Sequence, residues 1–234
     1  MINQLVRYAS VLPLLRGEQG PVLEVGSGSD GISAYLEHRT FGLEIRFPGP
    51  PGPLLTPIRG TAVDLPFADR SVDVVLIMDT LEHIPKDLRR RCIEEAMRVA
   101  RSRVIVGGPM GAPSAEADGR LAAYYRRRNL ELPDWLAEHL NEKPPELQEV
   151  TEPLRAAGWT VRARGNENLP LHLAIMRLET RRFFFRAFGR VRRHTPAAAA
   201  AVARALSFGP YYSYLVEATR SQTSSTRPTI EPQS

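Results

Sequence analysis

Short apolar runs alternate with stretches of helical spacing along most of this chain. The runs predict strands at residues 21–25, 39–44, 58–63, 72–78, 103–106 and 160–164. Residues 72–78 form the most apolar run, which indicates a central strand buried on both faces. Strands that alternate with helices favour an α/β fold with a mostly parallel, doubly wound sheet.

The helical stretches are expected between these strands. Residues 86–100 have the clearest apolar stripe, and residues 146–157 form a second helix that ends at Gly158. A first crossover helix is predicted over residues 29–38, and a short helix over residues 2–16. Residues 212–218 have the β-branched and aromatic content of a last strand.

Two longer stretches do not fit the strand–helix alternation. Residues 108–141 begin with a glycine- and proline-rich segment that we expect to be flexible and continue with two helices, and residues 169–208 form a second insertion. We expect both to cover the carboxyl edge of the sheet, where ligands of such folds bind. The interpretation is a single domain over residues 1–220, followed by a disordered tail over residues 221–234.

Composition and the absence of targeting patterns indicate the cellular compartment of the protein. The chain has 234 residues, of which 43% are hydrophobic, and its only cysteine is Cys92. This composition, together with the absence of a signal-peptide pattern or a membrane-length apolar run, predicts a cytoplasmic protein. The net charge of +5 permits an anionic partner but does not require one.

An arginine- and phenylalanine-rich segment lies at residues 181–193. It can contact an anionic lipid surface, a phosphorylated sugar or a nucleic acid. The simpler interpretation packs the phenylalanines into the cover and leaves the arginines in solvent. Peripheral membrane contact through this segment therefore stays one alternative, and nucleic acid is not the expected partner.

The candidate chemistry begins at residues 22–31, a short strand that runs into a glycine-rich turn and a helical segment. Gly26, Gly28 and Gly31 satisfy the G-x-G-x-x-G spacing of nucleotide-binding βαβ units, in which the backbone approaches the ligand closely. By itself this turn is equally compatible with a nicotinamide cofactor.

Acidic residues at the predicted strand ends favour a cationic ligand without phosphate. Glu24 lies in the first strand, where its carboxylate can hold an ammonium group. Glu44 ends the second strand and can accept both ribose hydroxyls, while Asp64 follows the third and can accept from an adenine amino group. S-adenosylmethionine, which carries a sulfonium and an ammonium group, fits these positions; the predicted site also includes Ser27, Leu65 and Asp79.

The order of these segments resembles the class I S-adenosylmethionine-dependent methyltransferases, most closely the small-molecule group called type 11. The segments are 23–28, 42–44, 64–67, 71–73 and 81–84, and the resemblance covers about residues 20–107. It departs from the family at Asp30, where many members have a third glycine. The resemblance implies a Rossmann-like sheet of seven strands with an antiparallel last strand, and methyl transfer to a small molecule or glycoconjugate, with oxygen as the expected acceptor atom.

Methyl transfer from a sulfonium needs positioning and exclusion of water, and an oxygen nucleophile can also need a base. His83 is the first candidate for this base, and Asp79 can orient the acceptor or shape the turn. His83 can equally serve only as a hydrogen-bonding residue of the pocket. His139 and His172, in the expected cover, are interpreted as structural. No cluster of histidine and cysteine has metal-ligand spacing, so no metal is predicted.

Three alternatives remain at this point. A nicotinamide-dependent oxidoreductase uses the same turn, but Glu24 and Asp64 argue against it. A non-catalytic module could bind S-adenosylmethionine without turnover. An RNA methyltransferase is compatible with the basic charge, although no separate RNA-binding domain is visible.

Overall fold

The structure is a computed structural model that describes residues 8–180 and 208–220. The arginine- and phenylalanine-rich segment 181–193 and the tail 221–234 lie outside the described residues, as do residues 2–7 of the predicted helix over residues 2–16. The predictions made for these segments therefore stay predictions.

Seven strands form one mixed sheet. They are β1 (Val22–Val25), β2 (Thr40–Glu44), β3 (Leu55–Arg59), β4 (Val72–Met78), β5 (Ala100–Pro109), β6 (Trp159–Asn168) and β7 (Tyr211–Arg220). The strand order is β3-β2-β1-β4-β5-β7-β6. The pairs among β1 to β5 are parallel, whereas β7 runs antiparallel to both β5 and β6. The predicted seven-stranded α/β sheet with an antiparallel last strand is confirmed.

Five α-helices lie wholly within the described part of the chain and accompany the sheet. They are α1 (Lys86–Val99), α2 (Gly111–Arg127), α3 (Asp134–Asn141), α4 (Leu147–Ala156) and α5 (Leu169–Glu179). Short 3-10 turns lie at Leu12–Leu15, Gly31–Tyr35 and Leu81–His83. None of the described helices is long and apolar enough to cross a membrane.

The burial of the central strands explains why their sequences are continuous apolar runs that could be recognised as strands. All four residues of β1 are buried, and so are six of the seven in β4. One face of the sheet packs against α1 and α4, and the other against Tyr8 and the turn Leu12–Leu15. Burial raises the pKa of the Cys92 thiol in α1 to about 12, so this cysteine acts as a core residue and not as a nucleophile.

Two predicted elements differ from the structure. The crossover helix expected over residues 29–38 is only the 3-10 turn Gly31–Tyr35, because Gly31 has a φ of +54° and Thr40 already begins β2. The third strand begins at Leu55, three residues earlier than predicted, and contains Pro57. The missing N–H of Pro57 is tolerated because β3 is an edge strand.

The segment that opens the first insertion is not the flexible stretch that its glycines suggested. β5 continues through Gly107 and Gly108, which pair with Leu215 and Tyr214 of β7, and α2 begins at Gly111. A Cβ at Gly107 would lie 2.5 Å from Cε of Met78. This glycine therefore packs closely against Met78 and Leu215 within a strand and does not mark a loop.

Candidate functional site

A cleft lies at the carboxyl edge of the parallel strands. It has a volume of about 440 Å³, within the usual range for small-molecule sites. Its walls are the ends of β1 and β2, the loop after β3, and the segment that joins β4 to α1. The lining residues are Val25, Gly26, Leu43, Glu44, Ile45, Gly60, Thr61, Ala62, Val63, Asp79, Thr80, His83, Ile84, Pro85 and Leu88.

The glycine turn adjoins this cleft and contributes Gly26 to its lining. Gly26, Gly28 and Gly31 have φ values of +76°, +62° and +54°, so all three adopt the left-handed conformation that glycine tolerates best. A Cβ at Gly26 would collide with the hydroxyl of Thr80, which donates to the carbonyls of Val25 and Met78. Gly26 thus lets the ends of β1 and β4 approach each other.

Glu24 lies beneath this turn and is fully buried. Its Oε1 accepts a hydrogen bond from the Tyr8 hydroxyl at 2.7 Å, and its Oε2 accepts one from the backbone N–H of Ile32 at 2.6 Å. The carboxylate therefore ties the N-terminal segment to the residues that follow the turn. It does not line the cleft, so its predicted contact with a ligand ammonium stays a prediction.

Glu44 connects the end of β2 to the turn. Its Oε1 accepts from the backbone N–H of Gly28 at 2.6 Å, and its side chain lines the cleft. Ser27, next to Gly28, is buried, and its hydroxyl donates to the Gly28 carbonyl at 3.0 Å. The two predicted ligand residues therefore also hold the shape of the turn.

The loop after β3 contributes different residues from those predicted. Asp64 is exposed outside the cleft, and Leu65 is buried in the core with its N–H donating to Oε2 of Glu95 at 2.9 Å. The residues that line the cleft here are Gly60 to Val63. The predicted cofactor contacts of Asp64 and Leu65 stay predictions, because neither side chain lines the cleft in this structure.

Ile45 was missed by the sequence interpretation. It lines the cleft, yet 78% of it is exposed, which is unusual for isoleucine. The available signal was its position directly after Glu44, at the end of a strand.

Asp79 and His83 lie on the opposite wall, as predicted from their position after β4. Asp79 has a φ of +44° and donates its backbone N–H to the Gly107 carbonyl at 2.8 Å. Nδ1 of His83 lies 2.7 Å from Oε2 of Glu138 in α3. Burial, reinforced by the neighbouring His139, lowers the pKa of His83 below its usual value although Glu138 opposes the shift. His83 therefore joins the cleft to the helices above it.

A buried set of polar side chains, here called the cover network, lies between α2, α3, α5 and β7. Asp118 accepts from the Tyr212 hydroxyl at 2.9 Å, and its other oxygen lies 3.0 Å from Nδ1 of His139. The His172 ring stacks on Tyr212 with centroids 3.5 Å apart. His172 in turn pairs with Glu167 at 3.1 Å between Nδ1 and Oε2.

The cover network is electrostatically tuned as well as buried. Burial and the adjacent Asp118 carboxylate raise the pKa of Tyr212 well above its usual range, so its phenol stays protonated and donates. The rings of His139 and His83 lie 5.1 Å apart, which brings the network to the rim of the cleft. The sequence could not predict these contacts, because Asp118, His139 and Tyr212 come from distant parts of the chain.

The structure therefore gathers Gly26, Glu44, Asp79 and His83 around one cleft, as the sequence interpretation required. It places Ser27 and Gly28 in the adjoining turn. It also brings together Glu82, His83 and His139, each of which offers a ligand atom within 4.8 Å of the others. The sequence analysis predicted no metal, since 56 residues separate His83 from His139 and no local spacing could reveal the group.

A known family matches the part of the chain that contains the cleft residues named above. Residues 23–106 match a family model described as a methyltransferase domain. This range contains the glycine turn, Glu44, Asp79 and His83, but not the helices of the cover. No curated protein matches the chain significantly.

Solved structures share the fold across most of the chain. A SAM-dependent methyltransferase from Archaeoglobus fulgidus aligns with a TM-score of 0.55 at 16% identity, covering 92% of both chains. Magnesium protoporphyrin IX methyltransferase from Synechocystis, solved with bound SAH, aligns with a TM-score of 0.53 at 15% identity over 94% of this chain and 84% of its own. A SAM-dependent methyltransferase from Thermotoga maritima gives 0.50 at 17% identity, over 92% and 88%.

Proposed function

We propose that this chain is a class I S-adenosylmethionine-dependent methyltransferase that methylates an oxygen atom of a small-molecule or sugar-containing acceptor. S-adenosylmethionine supplies a methyl group that is already activated by its sulfonium. In the transfer, the acceptor oxygen forms a bond to the methyl carbon, the carbon–sulfur bond breaks with its electron pair returning to sulfur, and the hydroxyl proton is released. The protein must hold both reactants in line and exclude water.

The charge of the cleft carries this proposal. Two carboxylates, Glu44 and Asp79, line it, and its lining residues include neither lysine nor arginine. A pyrophosphate-containing ligand such as a nicotinamide dinucleotide gains nothing from such a surface, whereas a ligand with sulfonium and ammonium groups is stabilised by it. The residues present therefore fit S-adenosylmethionine and disfavour the nicotinamide alternative.

Each wall of the cleft has a defined task in this proposal. Glu44, whose Oε1 already holds the turn, presents its carboxylate to the ribose hydroxyls. Ile45 and Val63 supply apolar surface for the adenine ring. Asp79, on the facing wall, lies where it can attract the cationic end of the ligand.

The acceptor is expected to enter between the cleft and the cover network. His83 faces this junction, and Asp79 lies beside it, so both predicted catalytic residues remain candidates to contact the acceptor. The polar side chains of Asp118, His139 and Tyr212 favour an acceptor with hydroxyl groups. Magnesium protoporphyrin IX methyltransferase, which shares the fold, acts on a small molecule by its name. Cytoplasmic location and contact of 181–193 with a membrane remain predictions from the sequence.

Calorimetry with S-adenosylhomocysteine tests the first half of the proposal. We expect one molecule to bind per chain, whereas NADH should give no heat and no fluorescence change. Release of S-adenosylhomocysteine across a panel of hydroxyl-bearing acceptors, including sugars and their conjugates, tests the second half. A folded sample that does not bind S-adenosylhomocysteine would refute the proposed function. Activity on amines alone would refute oxygen as the acceptor atom.

Ile45→Ala is expected to weaken S-adenosylhomocysteine binding roughly 3- to 10-fold. The substitution removes about 50 Å² of apolar surface from the adenine contact, worth about 1 kcal/mol at 25 cal/mol per Å². Because Ile45 is exposed, the unfolding midpoint should not change. Leu130→Ala, at an exposed leucine away from the cleft, is the matched control. Equal affinity of both variants would show that Ile45 does not contact the ligand.

A further inference from the structure

Beside the cofactor cleft, two histidines and a carboxylate converge on one point. We propose that Glu82, His83 and His139 bind one divalent transition-metal ion, whose open coordination positions face the acceptor. Their ligand atoms lie within 4.8 Å of one another. Neighbouring donors on one tetrahedral ion, at bond lengths of about 2.0–2.2 Å, lie about 3.3–3.6 Å apart, so binding draws the three donors together by at most about 1.5 Å through rotation of their side chains.

The hydrogen bonds of the two histidines prepare them for this role. Nδ1 of His139 lies 3.0 Å from Asp118, and Nδ1 of His83 lies 2.7 Å from Glu138. A carboxylate can only accept, so each Nδ1 carries the proton and each Nε2 keeps its lone pair. Carboxylate partners of this kind commonly orient metal-binding imidazoles.

His139 provides the independent sign of a missing ligand. Its side chain is only 5% exposed, and its Nε2 has no hydrogen-bond partner among the described residues. A buried nitrogen without a partner is costly, and an ion that binds there removes the cost.

Negative charge is also concentrated around the three donors. Glu82 is only 2% exposed. The carboxylates of Asp118 and Glu138 lie next to the imidazoles of His139 and His83, respectively. A Cβ at Gly108 would lie 3.3 Å from both Oε2 of Glu82 and Oδ1 of Asp79, so the glycine leaves the space between these carboxylates open. Two imidazoles and one carboxylate favour manganese, iron, cobalt or zinc over magnesium.

The ion would explain how an oxygen acceptor is activated, a role that rests on the proposed function. His83 lines the cleft, so an ion bound to it is accessible from the side where the acceptor enters. A hydroxyl bound to a divalent ion is more acidic and can release its proton to water, which makes His83 a ligand in place of a base. Acceptors with two adjacent oxygens, such as vicinal diols, suit the open positions.

Trp135 offers a direct measurement, because its ring lies 5.3 Å from that of His139. We would titrate tag-free, chelator-treated protein with Co²⁺, which quenches tryptophan fluorescence, in a Trp159→Phe background that leaves only Trp135. We expect saturable quenching of the fluorescence at one Co²⁺ per chain. Zn²⁺ should displace Co²⁺ and reverse the quenching, whereas Mg²⁺ should reverse it less. His139→Gln and Glu82→Gln should each lower the affinity at least tenfold.

Two further variants guard against misfolding and non-specific binding. Glu138 is exposed, so Glu138→Gln should leave the fold intact while lowering Co²⁺ affinity about tenfold through His83. His38→Gln, before β2 at the opposite edge of the sheet, should change nothing. Absence of saturable quenching, or equal affinity in the His139 and His38 variants, would overturn the ion site. Because S-adenosylhomocysteine binding is measured on the same samples, that result would leave the proposed function standing.

Discussion

Glu24→Ala should lower the free energy of unfolding by about 2–6 kcal/mol. The substitution leaves two buried donors, the Tyr8 hydroxyl and the Ile32 N–H, without their common acceptor, and each such loss costs about 1–3 kcal/mol. It also detaches the N-terminal segment from the glycine turn. Denaturant unfolding followed by circular dichroism measures the change.

Tyr8→Phe is the partner variant, since it removes one of these two hydrogen bonds and keeps the carboxylate. It should cost about 1 kcal/mol, while Glu37→Ala at an exposed glutamate should cost almost nothing. A loss below 0.5 kcal/mol for Glu24→Ala, on the order of an ordinary surface change, would contradict the structural role of this carboxylate. The same samples also test the ammonium contact: that contact predicts weaker S-adenosylhomocysteine binding by Glu24→Ala than by Tyr8→Phe.

Glu44→Ala is expected to have the largest effect on the cofactor. The loss of an acceptor for the ribose hydroxyls should weaken S-adenosylhomocysteine binding by about 1–3 kcal/mol, roughly a 5- to 150-fold rise in Kd. Part of the effect comes through Gly28, whose N–H loses its 2.6 Å partner and with it the fixed geometry of the turn. Isothermal titration calorimetry measures the change.

Glu44→Gln separates the two contributions, because its amide oxygen can still accept from Gly28 while the charge is lost. We expect its affinity to lie between those of the wild type and Glu44→Ala. Asp64→Ala provides a contrast at a carboxylate outside the cleft, and tests whether Asp64 accepts from the adenine amino group. Unchanged affinity for Glu44→Ala would refute the ribose assignment.

The sequence predicted best those elements whose burial is continuous or strictly periodic. The sequence located β4 to the residue because nearly every position in it is apolar, and located α1 to within one residue because one of its faces packs on the sheet. The prediction of a flexible stretch at residues 107–109 was wrong, because the glycines there allow close packing between β5, Met78 and β7. A glycine needed for a tight contact has the same letter as one in a loop, and only the tertiary arrangement distinguishes them.

The candidate site divides in the same way. Gly26, Glu44, Asp79 and His83 follow strand ends, so topology alone brings them to one edge, and the sequence could predict them. The partners of His83 could not be predicted, since Glu138 and His139 come from α3, more than fifty residues later in the chain. Glu24 was recognised as important, but its bonds to Tyr8 and Ile32 depend on packing that no local pattern reveals.

The position of β7 has a consequence for biosynthesis. This strand is the last in chain order but lies between β5 and β6 in the sheet, and it carries Tyr212 of the cover network. During translation the facing edges of β5 and β6 therefore stay open until residues 211–220 have left the ribosome. The cofactor half can assemble first, whereas the acceptor side of the site is completed only after β7 has been synthesised and has paired with β5 and β6.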